Sequence, residues 1–549
     1  MRVSLAVVDR LVANGIDTVF GIPGKQSLPL NEAIGNRDDI RFVVARHETA
    51  VSHQAWGYAE TSGEIASTVV VPGPGDMNAM NGLKNALNDC TPLVHFAIET
   101  EPALRGGDAI HETPPDTYDN VVKENIVLKN PETTAATIDR AVQIAQTPPK
   151  GPVRVGLPKN YLQMDVPLAG ASTPSAPSSN TVPEQEVSTA AEHLLAAERP
   201  LILAGGGVRA SGGTAALRSL AERLDAPVVT TYKGKGVFPE DHDLSAGVLA
   251  GSASPELLDC LADSDAVLAV GSDLDAHGTR GWSVELPETL IQVTIDADDL
   301  GTGYDPTVGI LADAADAMTA IENRIAAADT APASKTDGAE RAQAVRDATA
   351  RRIEPLVDSE PPLTSVHVLQ VLRDALPSDA ITAVDAGGFR VWALNTFAAY
   401  GPRSYVNPGS WATMGTGLPS AIGAQLANPD TPVVALTGDG GLMMCVHELH
   451  TAVAENLPIT VVVLNNDDYA IISEEAGRSY DLDHQAYGWD RTPIDFGTVA
   501  AGMGMEATQA DTPSEIRTAV HEAVQTDAPT LVEVRTDPAE PQASEWMRE

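Results

Sequence analysis

Short apolar runs alternate with longer stretches of helical periodicity in the first third of the chain. Each run has the length and β-branched character of a buried strand, and the runs fall at residues 18–21, 41–44, 67–71, 93–96 and 152–155. Strands separated by helices predict a parallel, doubly wound sheet. The following stretch, residues 166–184, is rich in Pro, Ser, Thr and Ala and is typical of a linker.

The same alternation returns twice more. The later apolar runs fall at residues 200–204, 226–229, 266–270 and 290–295, and then at 380–384, 432–436, 459–464 and 530–534. A polar stretch with little apolar pattern, residues 326–348, is interpreted as a second linker. We therefore predict an α/β protein of three doubly wound parallel-sheet domains, at residues 1–168, 185–325 and 355–549.

The composition places a large negative charge on the surface of a globular protein. The 549 residues include 76 acidic and 35 basic side chains, a net charge of −41, yet 43% are hydrophobic, which is too many for a disordered acidic chain. Such an excess of acid argues against nucleic acid and anionic membranes as partners, because both would be repelled. It is typical of a protein from a high-salt cytoplasm.

The cysteines and the chain start favour an intracellular location. Cys90, Cys260 and Cys445 are far apart and odd in number, which speaks for a reducing compartment and against a disulfide framework. We find no apolar segment of membrane-spanning length and no signal-peptide pattern, since a helical pattern begins directly after Met1. We predict a cytoplasmic protein.

Polar side chains follow two neighbouring apolar runs of the third unit. The run at 432–436 leads into a glycine-rich turn at 438–441, and the next run leads into Asn466, 27 positions after Asp439. Because the carboxyl ends of parallel strands meet at one edge of a sheet, Asp439 and Asn466 should converge there. One carboxylate, one amide oxygen and phosphate oxygens make a typical Mg²⁺ site, and amides at a helix start favour a phosphate.

This spacing resembles the thiamine-diphosphate motif, in which Gly-Asp-Gly is followed by Asn-Asn about one strand-helix-strand unit later. The resemblance implies that Mg²⁺ takes Asp439, Asn466 and the backbone carbonyl of Asp468. It also implies that the glycines of the turn contact the cofactor: Gly438, Gly440 and Gly441. Taken alone, Gly-Asp-Gly is equally compatible with an ordinary strand-to-helix turn.

A second match lies far upstream, at residues 47–59. It resembles the acetolactate synthase pattern in which the second residue, here Glu48, activates the cofactor. The resemblance implies that the Glu48 carboxyl bonds N1′ of the aminopyrimidine and relays a proton, with no contact to the substrate required. A glutamate in a first helical turn also complements the helix dipole, which is the commoner reason for finding one there.

Three loops of the first unit fall where related enzymes approach the active site. They contribute Pro23 and Gly24, Asn78, and His111, which replaces a glutamine facing the substrate in acetolactate synthases. His111 could donate a proton to the substrate or be an ordinary loop histidine. The glycine-rich loops are also compatible with plain turns.

Two stretches of the third unit resemble further cofactor contacts of the family. Residues 385–392 match a segment that touches the diphosphate, to which Gly387 and Gly388 would offer backbone amides. Residues 409–419 match a segment in which Met414 supports the bent cofactor, while the backbones of Ala412 and Met414 bond the pyrimidine. A methionine packed in a core is the alternative.

The second unit has the glycine pattern of a dinucleotide site at residues 205–210, without the acidic residue expected at the end of the next strand. The corresponding domain of acetolactate synthases binds FAD, with an arginine approaching the cofactor. The matching stretch here, residues 271–276, has Asp273 in place of that arginine. An aspartate would repel a diphosphate, so FAD is disfavoured as a cofactor.

The resemblance covers nearly the whole chain and implies a thiamine-diphosphate and Mg²⁺ dependent enzyme. We predict that it decarboxylates a 2-oxo acid and joins the product to a second carbonyl compound, as acetolactate synthases do. The alternative is a decarboxylase of the benzoylformate or pyruvate type, which releases an aldehyde. Two other classes stay open: a cofactor-binding paralogue without turnover, and an oxidoreductase that uses the second unit.

Substrate choice and assembly follow less directly from the resemblance. Ile472 and Glu475 lie where relatives have a glutamate and a tryptophan, so the substrate positions depart from the family. In this family the activating glutamate of one subunit reaches the cofactor held by another. We therefore expect a homodimer or homotetramer with the active site at the subunit interface, and allow for a small regulatory subunit.

Overall fold

The computed structural model describes residues 1–107, 111–114, 116–167, 181–328, 331–333, 337–357, 360–482 and 487–548. These residues form three six-stranded sheets, and all pairings between their strands are parallel. Helices cover the sheets, which confirms the predicted α/β class. Within the described ranges, no helix has the length and apolar character needed to cross a bilayer.

The first sheet contains the N-terminal strands. They are β1 Thr18–Gly21, β2 Arg41–Val44, β3 Ala66–Val70, β4 Leu93–Glu99, β5 Glu124–Val127 and β6 Val153–Pro158. The helices around it are α1 Val3–Ala13, α2 Leu28–Gly35, α3 Glu48–Ser62, α4 Pro74–Asn88 and α5 Thr134–Gln146. The strand order is β2-β1-β3-β4-β6-β5. Strands β1, β3 and β6 are buried at every position, because helices cover both faces of the sheet.

The second sheet has the strand order of dinucleotide-binding domains. Its strands are β7 Pro200–Ala204, β8 Val228–Thr231, β9 Ser245–Leu249, β10 Ala266–Val270, β11 Thr289–Thr294 and β12 Val308–Leu311. Its helices are α6 Glu184–Ala196, α7 Gly206–Ala210, α8 Thr214–Leu224, α9 Pro255–Ala262, α10 Ala314–Ala326 and α11 Gly338–Val357. The order β12-β11-β10-β7-β8-β9 places the switch point between β10 and β7.

The predicted linker at residues 326–348 is wrong over its second half. Helix α11 begins at Gly338, and Ala342 and Val345 pack in a core cluster of the second sheet. Up to residue 348 the helix buries only Gly338, Arg341, Ala342, Val345 and Ala348, which leaves little apolar pattern to detect.

The third sheet repeats the topology of the first. Its strands are β13 Ile381–Val384, β14 Tyr405–Val406, β15 Val433–Gly438, β16 Ile459–Asn465, β17 Glu506–Gln509 and β18 Thr530–Arg535. Its helices are α12 Ser365–Ala375, α13 Gly388–Thr396, α14 Gly417–Ala427, α15 Asp439–Cys445, α16 Glu448–Ala454, α17 Ala470–Tyr480, α18 Phe496–Gly502, α19 Pro513–Ala523 and α20 Ala543–Trp546. The order β14-β13-β15-β16-β18-β17 is that of the first sheet, strand for strand.

Equivalent helices of the first and third sheets pack against each other. Helix α3 follows the second strand of its sheet and α14 the second strand of the other. A Cβ on Gly57 would lie 2.3 Å from the carbonyl oxygen of Ser420, and one on Gly423 would lie 1.9 Å from that of Gln54. Only glycine allows backbones to approach this closely. The contact fixes the third domain to the helix that begins at Glu48.

Candidate active site

The two polar positions predicted at the edge of the third sheet do converge. Strands β15 and β16 are adjacent and in register to their ends. Beyond them, the backbone N–H of Asn466 donates to Asp439 Oδ2 at 3.2 Å, and the N–H of Asp468 donates to Asn466 Oδ1 at 3.2 Å. The N–H of Gly440 donates to Asp439 Oδ1 at 2.8 Å. A residue with a carboxylate and one with an amide oxygen therefore meet where two adjacent turns come together at the carboxyl edge.

These oxygens suit a hard cation. Asp439 is only 4% exposed, and burial raises its pKa to about 7. A divalent cation at this carboxylate would favour its ionised form. No group of three or more His, Cys, Asp or Glu side chains is arranged for a metal in the part of the chain that the structure describes. One carboxylate, one amide and one backbone carbonyl do not form such a group, yet they are enough for Mg²⁺ bound with phosphates.

The glycines of the turn are required by close packing. A Cβ on Gly440 would lie 2.6 Å from the ring of Tyr469, and one on Gly441 would lie 2.8 Å from Asp385 Oδ2. A Cβ on Gly438 would be 3.3 Å from the ring of Phe389. Glycine therefore lets Tyr469 and Asp385 pack directly on the backbone at the start of α15, where Gly440 and Gly441 are buried.

Asp385 ties the segment before α14 to this turn. Its fully buried carboxylate accepts the N–H groups of Gly415 and Thr416 at 2.9 and 3.2 Å and the hydroxyl of Thr437 at 3.0 Å. Burial raises the pKa of Asp385, and these hydrogen bonds oppose the shift. The sequence placed Asp385 in a motif without indicating this organising role.

Met414 and Ala412 lie beside the same turn. Met414 is half-buried, and its Cε lies 3.4 Å from a Cβ built on Gly440. Ala412 is exposed and has a φ of +47°, a left-handed conformation that is strained for alanine. Met414 is therefore next to the Asp439 turn and only partly in the core.

Gly387 and Gly388 lie at the start of α13 on the same edge. A Cβ on Gly388 would lie 3.3 Å from Ile471 Cγ1, and one on Gly387 would lie 2.6 Å from the Phe389 ring. Phe389 is buried in the core of the third sheet. The backbone of both glycines is thus half-buried, while the aromatic ring points inward.

A second cluster surrounds Glu48 at the start of α3. The carboxylate is half-buried, and its Oε2 accepts a hydrogen bond from Asn78 Nδ2 at 3.1 Å. Its Oε1 lies 3.0 Å from a Cβ built on Gly75, so the glycine in the first turn of α4 leaves this oxygen room. Asn78 therefore contacts the Glu48 carboxylate, where the resemblance implied only proximity to the cofactor.

The remaining predicted loops lie around the same point. His111 is exposed with a φ of +64°, and its Cα lies 2.9 Å from a Cβ built on Gly73. Its neighbours 108–110 lie outside the described residues. Gly24 rests against Val71, since a Cβ there would lie 2.0 Å from Val71 Cγ1, and Pro23 beside it is exposed.

A buried ion pair fixes the first turn of α4. Asp76 Oδ2 accepts from Arg154 Nη2 at 2.7 Å, and its Oδ1 contacts His95 Nε2 at 3.1 Å. Burial alone would raise the pKa of Asp76, but His95 and the Arg154 guanidinium hold it well below its usual range. Asn78, two positions on, is thereby anchored in its place opposite Glu48.

Glu448 is a residue of this region that sequence reasoning missed. Its buried carboxylate accepts the backbone N–H groups of Arg46 and His47 at 2.8 and 3.1 Å, the Gln54 amide at 2.9 Å and the Thr451 hydroxyl at 2.6 Å. Burial raises its pKa. A glutamate at the start of a helix carries no sequence signal for a contact some 400 positions away.

Helix α4 connects the two clusters within one chain. Asn78 bonds Glu48, and one turn later Asn81 Nδ2 donates to Thr413 Oγ1 at 3.0 Å. The indole N–H of Trp411 donates to Asn81 Oδ1 at 2.6 Å. The Glu48 cluster is thus joined to the segment that carries Met414.

Known proteins match this chain over nearly its whole length. Residues 1–120, 187–321 and 385–534 match the N-terminal TPP binding domain, the central domain and the C-terminal TPP binding domain of thiamine pyrophosphate enzymes. A probable acetolactate synthase large subunit of Methanocaldococcus jannaschii is 29% identical over 98% of this chain and 93% of its own. A probable 2-ketoarginine decarboxylase of Pseudomonas aeruginosa is 32% identical over 96% of this chain and 92% of its own. The solved structure of a thiamine diphosphate-dependent 4-hydroxybenzoylformate decarboxylase of Rhodococcus jostii superposes with a TM-score of 0.85 at 27% identity, covering 98% and 99% of the two chains.

Proposed function

Because the chain belongs to the thiamine pyrophosphate enzyme family, we propose that it uses thiamine diphosphate and Mg²⁺ to decarboxylate a 2-oxo acid. The observation that carries this proposal is the pairing of Asp439 and Asn466 at the ends of adjacent strands. The Glu48 cluster supports it as the second half of the site, and from the family resemblance we expect that half to meet the Asp439 turn of a second copy across the subunit interface.

The residues divide the work as follows. Thiamine diphosphate, when bound, supplies the electron sink that makes loss of carbon dioxide feasible. Asp439, Asn466 and the carbonyl of Asp468 would hold the metal that secures the diphosphate. Glu48 would hold and move a proton at N1′ of the pyrimidine, while Asn78 keeps one of its oxygens in place.

Other predicted residues would orient the cofactor. The backbone groups of Gly387, Gly388 and the turn after β15 would face the diphosphate. Met414 would support the cofactor ring, and the backbones of Ala412 and Met414 would bond the pyrimidine. Met414 lies within contact distance of the Asp439 turn, which favours a cofactor-binding role over a purely structural role.

We further propose that the product of decarboxylation is joined to a second carbonyl compound. The full-length similarity to an acetolactate synthase large subunit supports this outcome. The alternative, protonation and release of an aldehyde, is supported by the two decarboxylase relatives. His111 also favours the alternative. A histidine beside Gly73 could supply the proton that releases the aldehyde.

A panel of 2-oxo acids separates these outcomes. Pyruvate, 2-oxobutanoate, benzoylformate and 2-ketoarginine are incubated with the protein, thiamine diphosphate and Mg²⁺ at high KCl, and carbon dioxide and organic products are both measured. Acetolactate from pyruvate is expected for ligation. Aldehyde in equal amount to carbon dioxide would establish the alternative, and no carbon dioxide from any acid would refute the proposal.

We propose that the active chain is at least a homodimer. Large apolar side chains are exposed around the site, and a second copy would cover them: Met77, Trp411, Met443, Met444 and Ile472. Light scattering of the active protein tests this proposal, and a fully active monomer would contradict it. A small regulatory subunit stays a prediction from the family resemblance.

A further inference from the structure

A cavity of about 290 Å³ lies between the first and second domains. It opens at the carboxyl ends of β7 and β10, the switch point of the second sheet, and residues 88–90 at the end of α4 close its other side. Its lining includes none of the residues assigned above to the cofactor or metal. The cavity is therefore separate from the proposed active site.

The glycines beside the cavity are used for packing and not for a phosphate. The N–H of Gly205 donates to the carbonyl of Val270 and that of Gly207 to the carbonyl of Gly271, both at 2.9 Å. A Cβ on Gly205 would lie 2.2 Å from the Gly271 carbonyl oxygen. Helix α7 has only five residues, too few for a strong N-terminal dipole. Two of the three glycine amides that would hold a dinucleotide diphosphate are thus already engaged.

The lining is acidic. Six aspartates face three basic residues, and Arg209, one of the three, pairs with Glu60 at 2.6 Å. Asp275 is satisfied by Tyr232 Oη at 3.0 Å and by the N–H of Gly278 at 2.7 Å. An anion would meet a repulsive wall here, whereas a cation would be attracted.

Three of these aspartates share Lys233 as their nearby cation. Burial raises the pKa of Asp89 and of Asp299 to about 6 and also raises the pKa of Asp273, while the charge of Lys233 opposes each shift. The Asp89 side chain is buried, and Asp273 and Asp299 are half-buried. The charge of Lys233, joined at Asp89 by that of Arg209, leaves the pKa of all three carboxyls raised. A second cation in the cavity would stabilise their ionised forms.

Asp89 provides an unused acceptor. Its side chain is 5% exposed, and its Oδ1 accepts no hydrogen bond from any described residue, with Lys233 Nζ 4.0 Å away. A buried carboxylate oxygen without a donor is costly. Because this oxygen lies against Gly409 and has no exposed surface, a ligand with N–H donors would remove that cost by drawing the carboxylate into the cavity.

The same residues contact the segment that carries Met414. Asp89 Oδ2 accepts the N–H of Gly409 at 3.2 Å, and Asn88 Nδ2 donates to Ser410 Oγ at 3.2 Å. Lys233 Nζ donates to the carbonyl of Asn88 at 3.1 Å. A ligand that draws on Asp89 or Lys233 would therefore act on residues 409–414.

We propose that this cavity is a regulatory site for a small organic cation, a primary amine or guanidinium, which binds Asp89 and Asp273 and shifts the 409–414 segment. The binding step stands independently of the proposed function. The regulatory step rests on that function, because it acts through the segment assigned to the cofactor.

Calorimetry tests the binding step on the full chain with thiamine diphosphate and Mg²⁺ present. Agmatine is the cationic probe, AMP the anionic one, and KCl is held constant so that general screening of the acidic surface cancels. Agmatine is expected to bind saturably and AMP not at all. Asp273→Asn should weaken agmatine binding about tenfold or more. Asp430→Asn, which removes an exposed acid elsewhere, should leave the affinity unchanged.

Equal agmatine binding in Asp273→Asn and wild type would overturn the proposal, as would saturable AMP binding or the absence of agmatine binding. Asp299→Asn serves as the second variant if Asp273→Asn fails to fold. Loss of affinity in either folded variant supports the cavity as the site.

Two readouts test the regulatory step. Emission of Trp411 is followed as the difference between wild type and Trp411→Phe, and the decarboxylation rate is measured with and without agmatine. The emission and the rate are both expected to change over the same range of agmatine concentration in which calorimetry detects binding. Binding without any change in emission or rate would overturn the regulatory step. Failure of every 2-oxo acid to react would refute the proposed function alone, because calorimetry and emission still decide the cavity.

Discussion

The Glu448 carboxylate accepts the backbone N–H of His47, the residue immediately before Glu48, at 3.1 Å. Glu448 of the third domain thereby holds the first turn of α3, which belongs to the first domain. Together with the glycine contacts between α3 and α14, this bond fixes where the Glu48 carboxyl stands relative to the third sheet.

Replacement of Glu48 by glutamine should abolish the proposed proton relay while preserving shape. We expect kcat to fall by about 100-fold or more, because a positioned general acid or base contributes on that scale. The affinity for thiamine diphosphate should change little. Steady-state kinetics and calorimetry measure the two effects. Glu64→Gln, an exposed position just beyond the end of the same helix, is the matched control, and equal kcat values for both variants would remove Glu48 from the mechanism.

Replacement of Asp439 by asparagine should weaken the binding of Mg²⁺. The variant loses the charged ligand, so the Mg²⁺ concentration needed for half-maximal cofactor binding should rise about tenfold or more. The apoprotein should melt no earlier than wild type, because an uncompensated buried carboxyl has been removed. Asp430→Asn is the control in the same domain. An unchanged Mg²⁺ requirement would contradict the assignment, as would cofactor binding that survives EDTA.

Replacement of Gly423 by alanine should separate α3 from α14. A Cβ there would lie 1.9 Å from the Gln54 carbonyl oxygen, which can move only with the helix backbone. We expect a loss of about 3 kcal/mol in the free energy of unfolding, measured with urea. Gly502→Ala is the control, since nothing lies within 4 Å of a Cβ there, and it should be neutral or stabilising by about 1 kcal/mol. Similar behaviour of the two variants would show that the helix contact is loose.

Glu540 should make the third domain less stable at high pH. Its carboxyl accepts the Ser365 hydroxyl at 2.7 Å at the start of α12, and burial raises its pKa to about 7. The folded state therefore holds a proton that the unfolded state has released, so this stabilisation is complete below the unfolded pKa and is lost as the pH rises to about 7. Between pH ~5 and ~8 the loss should be on the order of 2 kcal/mol.

Glu540→Gln isolates this effect from the other buried carboxyls. Urea titrations at both pH values should show a smaller pH dependence in the variant than in wild type. An identical dependence would mean that Glu540 titrates alike in the folded and unfolded states.

The central strands of all three sheets could be predicted because each is a continuous apolar run. Two edge strands of the third sheet could not be predicted in this way. Strand β17 is exposed at every position and β14 is two residues long, so neither produces a run. The helical stretch that follows the glycine-rich turn is divided into α15 and α16, with a break at Val446 and His447 that no local pattern indicates.

The residues of the candidate site also fall into those that the sequence predicts and those that it does not. Asp439 and Asn466 follow adjacent strands, and their meeting at one edge follows from parallel topology alone. The partners of Asp385, Asp89 and Glu448 come from other elements, and no local pattern encodes them. Phe389 shows the converse, because a residue in a ligand-binding motif points into the core.

The packing of α3 against α14 also has a consequence for synthesis of the protein. Helix α3 is buried at every position from Ala50 to Thr61, yet about 355 residues separate its end from the start of α14. At ribosomal speeds the partner helix emerges roughly 20 to 70 s later. During that interval the finished first domain presents an uncovered helix, so chaperone capture should concentrate on nascent chains that end before α14.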